Sequence, residues 1–211
     1  IYDTNYVFLF DYAMYQELKK IGLPRVFYLP LASNTLDSPF VSDNGCNYPD
    51  MPISFVGSLY DEKNNDLYAK FCNVSDYAKG YMDALIQVQK NLYGIDIIRN
   101  SLPINIVNEL MEKVPYNIGK NKEGVETESY IYEEYFLKRK VTALERREVL
   151  ERLSGRYDTY LFSGRNPEYL PKVHYMGITN YYTQMPLVFK KSDINLNITL
   201  KSIVTGIPAR I

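Results

Sequence analysis

Several things are scarce in this chain of 211 residues, and each scarcity removes a class of function. Cysteine occurs only as Cys46 and Cys72, without C-x-x-C spacing or companion histidines. That speaks against a secreted disulfide framework and against a structural zinc site, so no metal is expected. Histidine occurs once, at His174, with no nucleophile or carboxylate pattern around it. A hydrogen-bonded structural role suits it better than general base catalysis. No window approaches the ~20 apolar residues of a membrane span. The opening IYDTNYVFLFDYAMYQEL lacks the basic segment and cleavage pattern of a signal peptide. Formal net charge is −1 with both signs interspersed, and no Lys/Arg tract suggests nucleic acid. Together these point to a reduced, cytoplasmic setting.

What remains is the composition of a packed α/β protein, 46% hydrophobic and 23% charged. Tyr6–Phe10 (YVFLF) reads as a buried parallel strand. Asp11 stands where an N-cap belongs, before a helix over Ala13–Lys20 that Gly22 ends. Arg25–Pro30 (RVFYLP) completes a β-α-β unit. Residues 35–52, rich in Pro, Asn, Asp, Ser and Gly, form the best linker in the chain.

Ile53–Val56 (ISFV) is a strand running into Gly57-Ser58. Between about residues 64 and 154 the pattern turns helical. Tyr81, Leu85, Val88 and Leu92 recur at helical spacing, Ser101 can cap Pro103–Val114, and Gly155 suits the C′ position after a long helix over Glu128–Leu153. So many helices between two strands amounts to an inserted helical subdomain. Strands resume at Tyr157–Phe162, Val173–Met176 and Asp193–Ile198.

The most informative stretch is Val173–Ile211, VHYMGITNYYTQMPLVFKKSDINLNITLKSIVTGIPARI. After the strand INLNI come Thr199, Ser202, Thr205, Gly206 and Pro208, then Arg210. Open α/β sheets bind ligands outside the carboxyl ends of their strands. Hydroxyls and N–H groups at a new helix start suit a sugar or a diphosphate, and Arg210 can pair with phosphate bidentately. The same residues also serve as plain loop punctuation. Gly57-Ser58 offers a close approach for a phosphate, or else an ordinary turn at a strand end. Lys63 reads as a surface lysine. Asn195 and Asn197 share a strand face and need internal partners. Asn73-Val74-Ser75 and Asn197-Ile198-Thr199 match glycosylation sequons, accidental in a cytoplasmic protein. Tyr181-Tyr182 and most other tyrosines read as packing residues, and Glu145-Arg146-Arg147-Glu148 as a solvated helix face.

At ISFVGSLYDEKN, at the Glu-Arg pair in TALERREVLERL, and at VHYMG with INLNIT and GIP, the sequence resembles the glycosyltransferase-like proteins of the spore-maturation CgeB type. The resemblance runs from about Tyr6 to Ile211. It implies an α/β fold with Rossmann-like parallel sheets of GT-B type and a large helical insertion. Residues 1–34 would end the N-terminal domain, 35–52 would link, and 53–211 would form an incomplete donor-binding domain. Ala209 stands where the family has Leu, and the chain stops at Ile211, before the acidic residue and Gly-Gly stretch that family members carry there.

The activity so implied is sugar transfer from a nucleotide-sugar donor, a UDP-sugar foremost, to a cell-envelope or spore-surface acceptor. Gly57, Ser58, Thr199, Ser202, Gly206, Pro208 and Arg210 would contact the donor. A retaining outcome rests on the same resemblance, and no catalytic residue, metal or cofactor is assigned. The alternative is a non-catalytic scaffold that docks a protein partner through the helical insert; a sugar epimerase is weaker, since no dinucleotide fingerprint is present.

Overall fold

The structure, a computed structural model, describes residues 4–32, 47–61, 66–116 and 128–204. It is a mixed α/β protein with parallel sheets. Strand β1 (Val7–Leu9), helix α1 (Tyr12–Lys20) and strand β2 (Val26–Tyr28) make a two-stranded parallel unit. Its helix starts where the sequence places it. Asp11 accepts the N–H of Ala13 at 2.9 Å, and Gly22 sits in the left-handed region at φ +83° just past the end.

The second sheet holds β3 (Met51–Val56), β4 (Thr159–Phe162), β5 (His174–Gly177) and β6 (Ser192–Asn195), all parallel, in the order β5-β4-β3-β6. β3 begins at Met51, so Met51 and Pro52 belong to the strand rather than to the linker. The remaining helices of this part are α2 (Asp76–Lys90), α3 (Ile104–Lys113), α4 (Glu128–Ile131), α5 (Lys138–Ser154) and α6 (Met185–Lys190). A 3-10 segment, Leu67–Asn73, precedes α2, and a π-helical stretch, Tyr132–Leu137, joins α4 to α5. From α2 to α5 the helices lie between β3 and β4 in sequence.

The apolar side chains divide accordingly. Phe71, Met82, Ile86, Ile106, Leu110, Phe136 and Val141 pack among the helices, while Phe55, Leu59, Leu150, Leu161 and Leu170 pack against the sheet. On α2 the buried line is Ala78, Met82, Ile86 and Gln89. The expected stripe was one position off, because Tyr81 and Leu85 flank the core and Val88 faces outward. Ser101 does not cap α3. Its hydroxyl donates to the Ile97 carbonyl, and the helix starts at Pro103 without a side-chain cap. Gly155 ends α5 at φ −70°, so a glycine's freedom is not used there.

Two corrections bear on the site. β6 ends in the ladder at Asn195 rather than Ile198, although the Leu196 N–H still reaches the Ser54 carbonyl at 2.8 Å. Among the described residues it is also at the edge of the sheet, where a central strand was expected, with Ile194 55% exposed. Only part of the polar face has the internal partners expected, since Asn197 is exposed with its Oδ1 3.4 Å from the Thr199 hydroxyl. Asn195 accepts the hydroxyl of fully buried Ser54 at 2.8 Å and donates to the Phe189 carbonyl at 3.2 Å.

Candidate functional site

In the order β5-β4-β3-β6, chain direction along the sheet reverses between β3 and β6. The first two connections run outward from β3 on one side, and the next strand returns to its other side. Ligands in such sheets bind at this switch point, outside the carboxyl ends. Gly57-Ser58 leaves β3 there, and Asn197–Lys201 leaves β6 there.

Arg146 of α5 fills the space between these two exits. It is 1% exposed. Its Nε and Nη2 donate to the Ile198 carbonyl at 3.0 and 2.7 Å, and its Nη1 donates to the Ser58 carbonyl. The guanidinium also lies over the rings of Phe55, at 5.2 Å, and Tyr60, at 4.8 Å. A planar fork of donors can serve carbonyls from two segments at once in a fixed geometry.

The rest of α5 explains why the arginine is there. Lys138, Thr142, Arg146 and Leu150 recur every fourth residue and are all buried, so one stripe of this helix is both internal and polar. Thr142 Oγ1 donates to the Lys138 carbonyl at 2.9 Å and accepts the Lys201 N–H at 3.0 Å. Lys138 Nζ pairs with Asp96 and Glu134. Burial holds the Glu134 carboxyl above its ordinary range even though the Lys138 ammonium opposes the shift. On the π-helical stretch, Glu133 accepts the N–H groups of Asn100, at 3.0 Å, and Leu102, at 3.4 Å.

Beyond β6 a cavity of about 370 Å³ opens between the 92–95 turn, α5 and the segment 197–204. Tyr93, Glu145, Thr199 and Lys201 bring polar groups to its wall. Lys201 Nζ stands 3.4 Å from Glu145 Oε1 and 3.7 Å from the centre of the Tyr93 ring. The Tyr93 hydroxyl donates to the same Glu145 carboxylate, and this bond, with burial second, pushes the phenol up to about 12. A carboxylate, an ammonium and an aromatic ring therefore share one wall.

Of the residues predicted from sequence, Gly57, Ser58, Thr199 and Ser202 are described here. Gly206, Pro208 and Arg210, like Lys63, lie outside the described residues. Gly57 and Ser58 are joined to Ile198-Thr199 through Arg146, so these two predicted segments do come together. The Gly57 N–H is used differently from the expectation, since it donates to the Phe162 carbonyl at 2.9 Å and extends the β3–β4 ladder. The Ser58 hydroxyl accepts the Tyr60 N–H at 3.0 Å. Thr199 lines the cavity, its hydroxyl 3.4 Å from Asn197 Oδ1, whereas Ser202 does not line it.

Sequence reasoning missed the burial of Thr142 and of Arg146, the latter read as part of a solvated face, and missed Lys201 and Tyr93. The signal for the first two was the four-residue repeat of Lys138, Thr142, Arg146 and Leu150, which the charge pattern Glu145–Glu148 masks. The Glu145–Glu148 run is not a uniformly solvated face, since Arg146 is buried. His174 is half-exposed, with Nε2 3.2 Å from Asp158 Oδ1 and its ring stacked on Tyr160 at 4.7 Å. Cys72 is a free thiol, and Cys46 lies outside the described residues. Among the described residues there is no cluster suited to a metal ion, and no helix is long and apolar enough to cross a membrane.

Comparison with family models, with curated proteins and with solved structures gives no match.

Proposed function

We propose that this chain is the donor-binding part of a GT-B glycosyltransferase, with the helices between β3 and β4 as an insertion in its Rossmann-like domain. The single observation that carries the reading is the strand order, whose switch point sets the exits of β3 and β6 side by side, with the Ser58 and Ile198 carbonyls on one buried arginine. The donor is a nucleotide sugar, a UDP-sugar first, and the acceptor a cell-envelope or spore-surface glycan or protein. In this scheme the protein positions the donor and stabilises the charge that grows on the departing diphosphate. Lys201 is the nearest described cation in the cavity wall, and Tyr93 offers a ring for a base or a sugar.

Calorimetric titration of UDP, GDP and their common sugar conjugates tests the reading. Saturable binding of one nucleotide supports it and defines the donor class. No binding to the folded protein overturns it and moves the assignment to a docking module.

A further inference from the structure

We infer that Arg146 is a positioning residue for an anion site at the β6 end of the cavity, and that the group it prepares for is a diphosphate. This rests on the nucleotide-sugar reading and names the geometry on which that reading depends.

In a trans peptide the carbonyl and the following N–H point in opposite directions. Two donors of Arg146 hold the Ile198 carbonyl, so the Thr199 N–H is turned away from the guanidinium. Ile198 and Thr199 both line the cavity and Arg146 does not, so we take this amide, turned from the arginine, as the one that faces a ligand there. Two residues on, the hydroxyl of Thr142 takes the Lys201 N–H at 3.0 Å and fixes where the Lys201 side chain departs. Its ammonium enters the same cavity, where Glu145 is its partner at 3.4 Å. One strand end thus presents an amide, a hydroxyl and an ammonium together, the donor set that oxyanions of phosphate take. A bound phosphate would draw the Lys201 ammonium from Glu145, which keeps the Tyr93 hydroxyl as its donor.

An arginine is needed because the same side chain also holds the Ser58 carbonyl at the exit of β3. It therefore sets the separation of the two strand exits as well as the orientation of one amide. Lysine, a point charge with rotatable donors, cannot hold both carbonyls in a fixed plane.

The test uses Arg146→Lys and Arg146→Ala in the full chain, with UDP and inorganic pyrophosphate as probes. Calorimetry gives affinity, and hydrogen exchange resolved by peptide gives the order of 196–204. The lysine variant is expected to keep the parent's circular dichroism and to lose UDP affinity by roughly tenfold or more, the scale of one oriented charge-assisted contact. Exchange at 198–201 should accelerate while the helices stay protected. In the alanine variant, low-millimolar guanidinium should restore affinity and protection together, and ammonium should restore neither. That pair carries the test if the lysine variant does not fold.

Equal UDP affinity in parent and lysine variant overturns the inference and leaves the donor reading standing. So does affinity lost only in proportion to global unfolding, with no guanidinium rescue. Binding of pyrophosphate without UDP overturns the nucleotide reading and leaves the anion site standing. Binding of neither probe by the parent overturns both.

Discussion

The hydroxyl of Thr142 accepts the backbone N–H of Lys201 at 3.0 Å, from a position on α5 where it is wholly buried. This bond and the pair from Arg146 to Ile198 pin the segment after β6 to a helix that precedes β4 in sequence. The site-forming loop is therefore held by the crossover rather than by its own strand. Thr142→Val keeps the shape and removes the acceptor, leaving an unpaired amide. It should destabilise by about 1–3 kcal/mol. Thr142→Ser should stay closer to the parent, and denaturant midpoints compare the three.

Lys138 is the second buried cation of the same stripe, with Asp96 and Glu134 as its partners. Lys138→Met strands two carboxylates in a nearly dry place, and removal of one member of a buried ion pair costs about 3–5 kcal/mol. Combining it with Glu134→Leu should recover part of that loss. The recovery is expected because burial already disfavours the Glu134 carboxylate. Equilibrium unfolding of both variants reads the coupling.

A pH effect follows from Glu109 on α3, whose carboxylate accepts the N–H and, at 2.8 Å, the hydroxyl of Ser75, the N-cap of α2. These bonds, the backbone one first, hold its carboxyl below the usual carboxylate range. A depressed carboxyl stabilises the fold above the unfolded-state value and loses that contribution as pH falls through the folded-state value. Glu109→Gln should therefore lower the melting temperature at neutral pH, by a few degrees at most for so exposed a group. Melting curves of parent and variant should converge toward acid.

Much of the fold can be read from the residues because strand and cap signals are local. YVFLF, RVFYLP and ISFV are apolar runs between turn residues; the first two each contain a strand and the third lies within one, although YVFLF is not the buried strand expected, with Phe8 59% exposed. Asp11, an acid between a strand and an amphipathic run, carries the signature of an N-cap, and it caps α1. Its second oxygen also accepts the Val204 N–H at 2.7 Å, a contact across the whole chain that no local pattern encodes. The edge position of β6 was illegible for the same reason, since strand order is a tertiary property. Alternating INLNI suits a half-exposed strand as well as a central one.

The site was half legible. Gly57-Ser58 and Thr199 announce strand exits, and the structure joins them. Arg146 was hidden because an arginine among glutamates on a helix is normally solvated, and only its spacing from Lys138, Thr142 and Leu150 shows the buried stripe. Tyr93 and Lys201 meet only after folding, from a turn and from a strand exit.

The most direct test of the central claim is a hydrogen-exchange footprint of the protein with and without a saturating UDP-sugar. Protection should rise together at 57–60 and 197–204, the two strand exits that Arg146 joins, with little change in α3 or around His174. Protection confined to another part of the molecule, or a footprint that spares both exits, would contradict it.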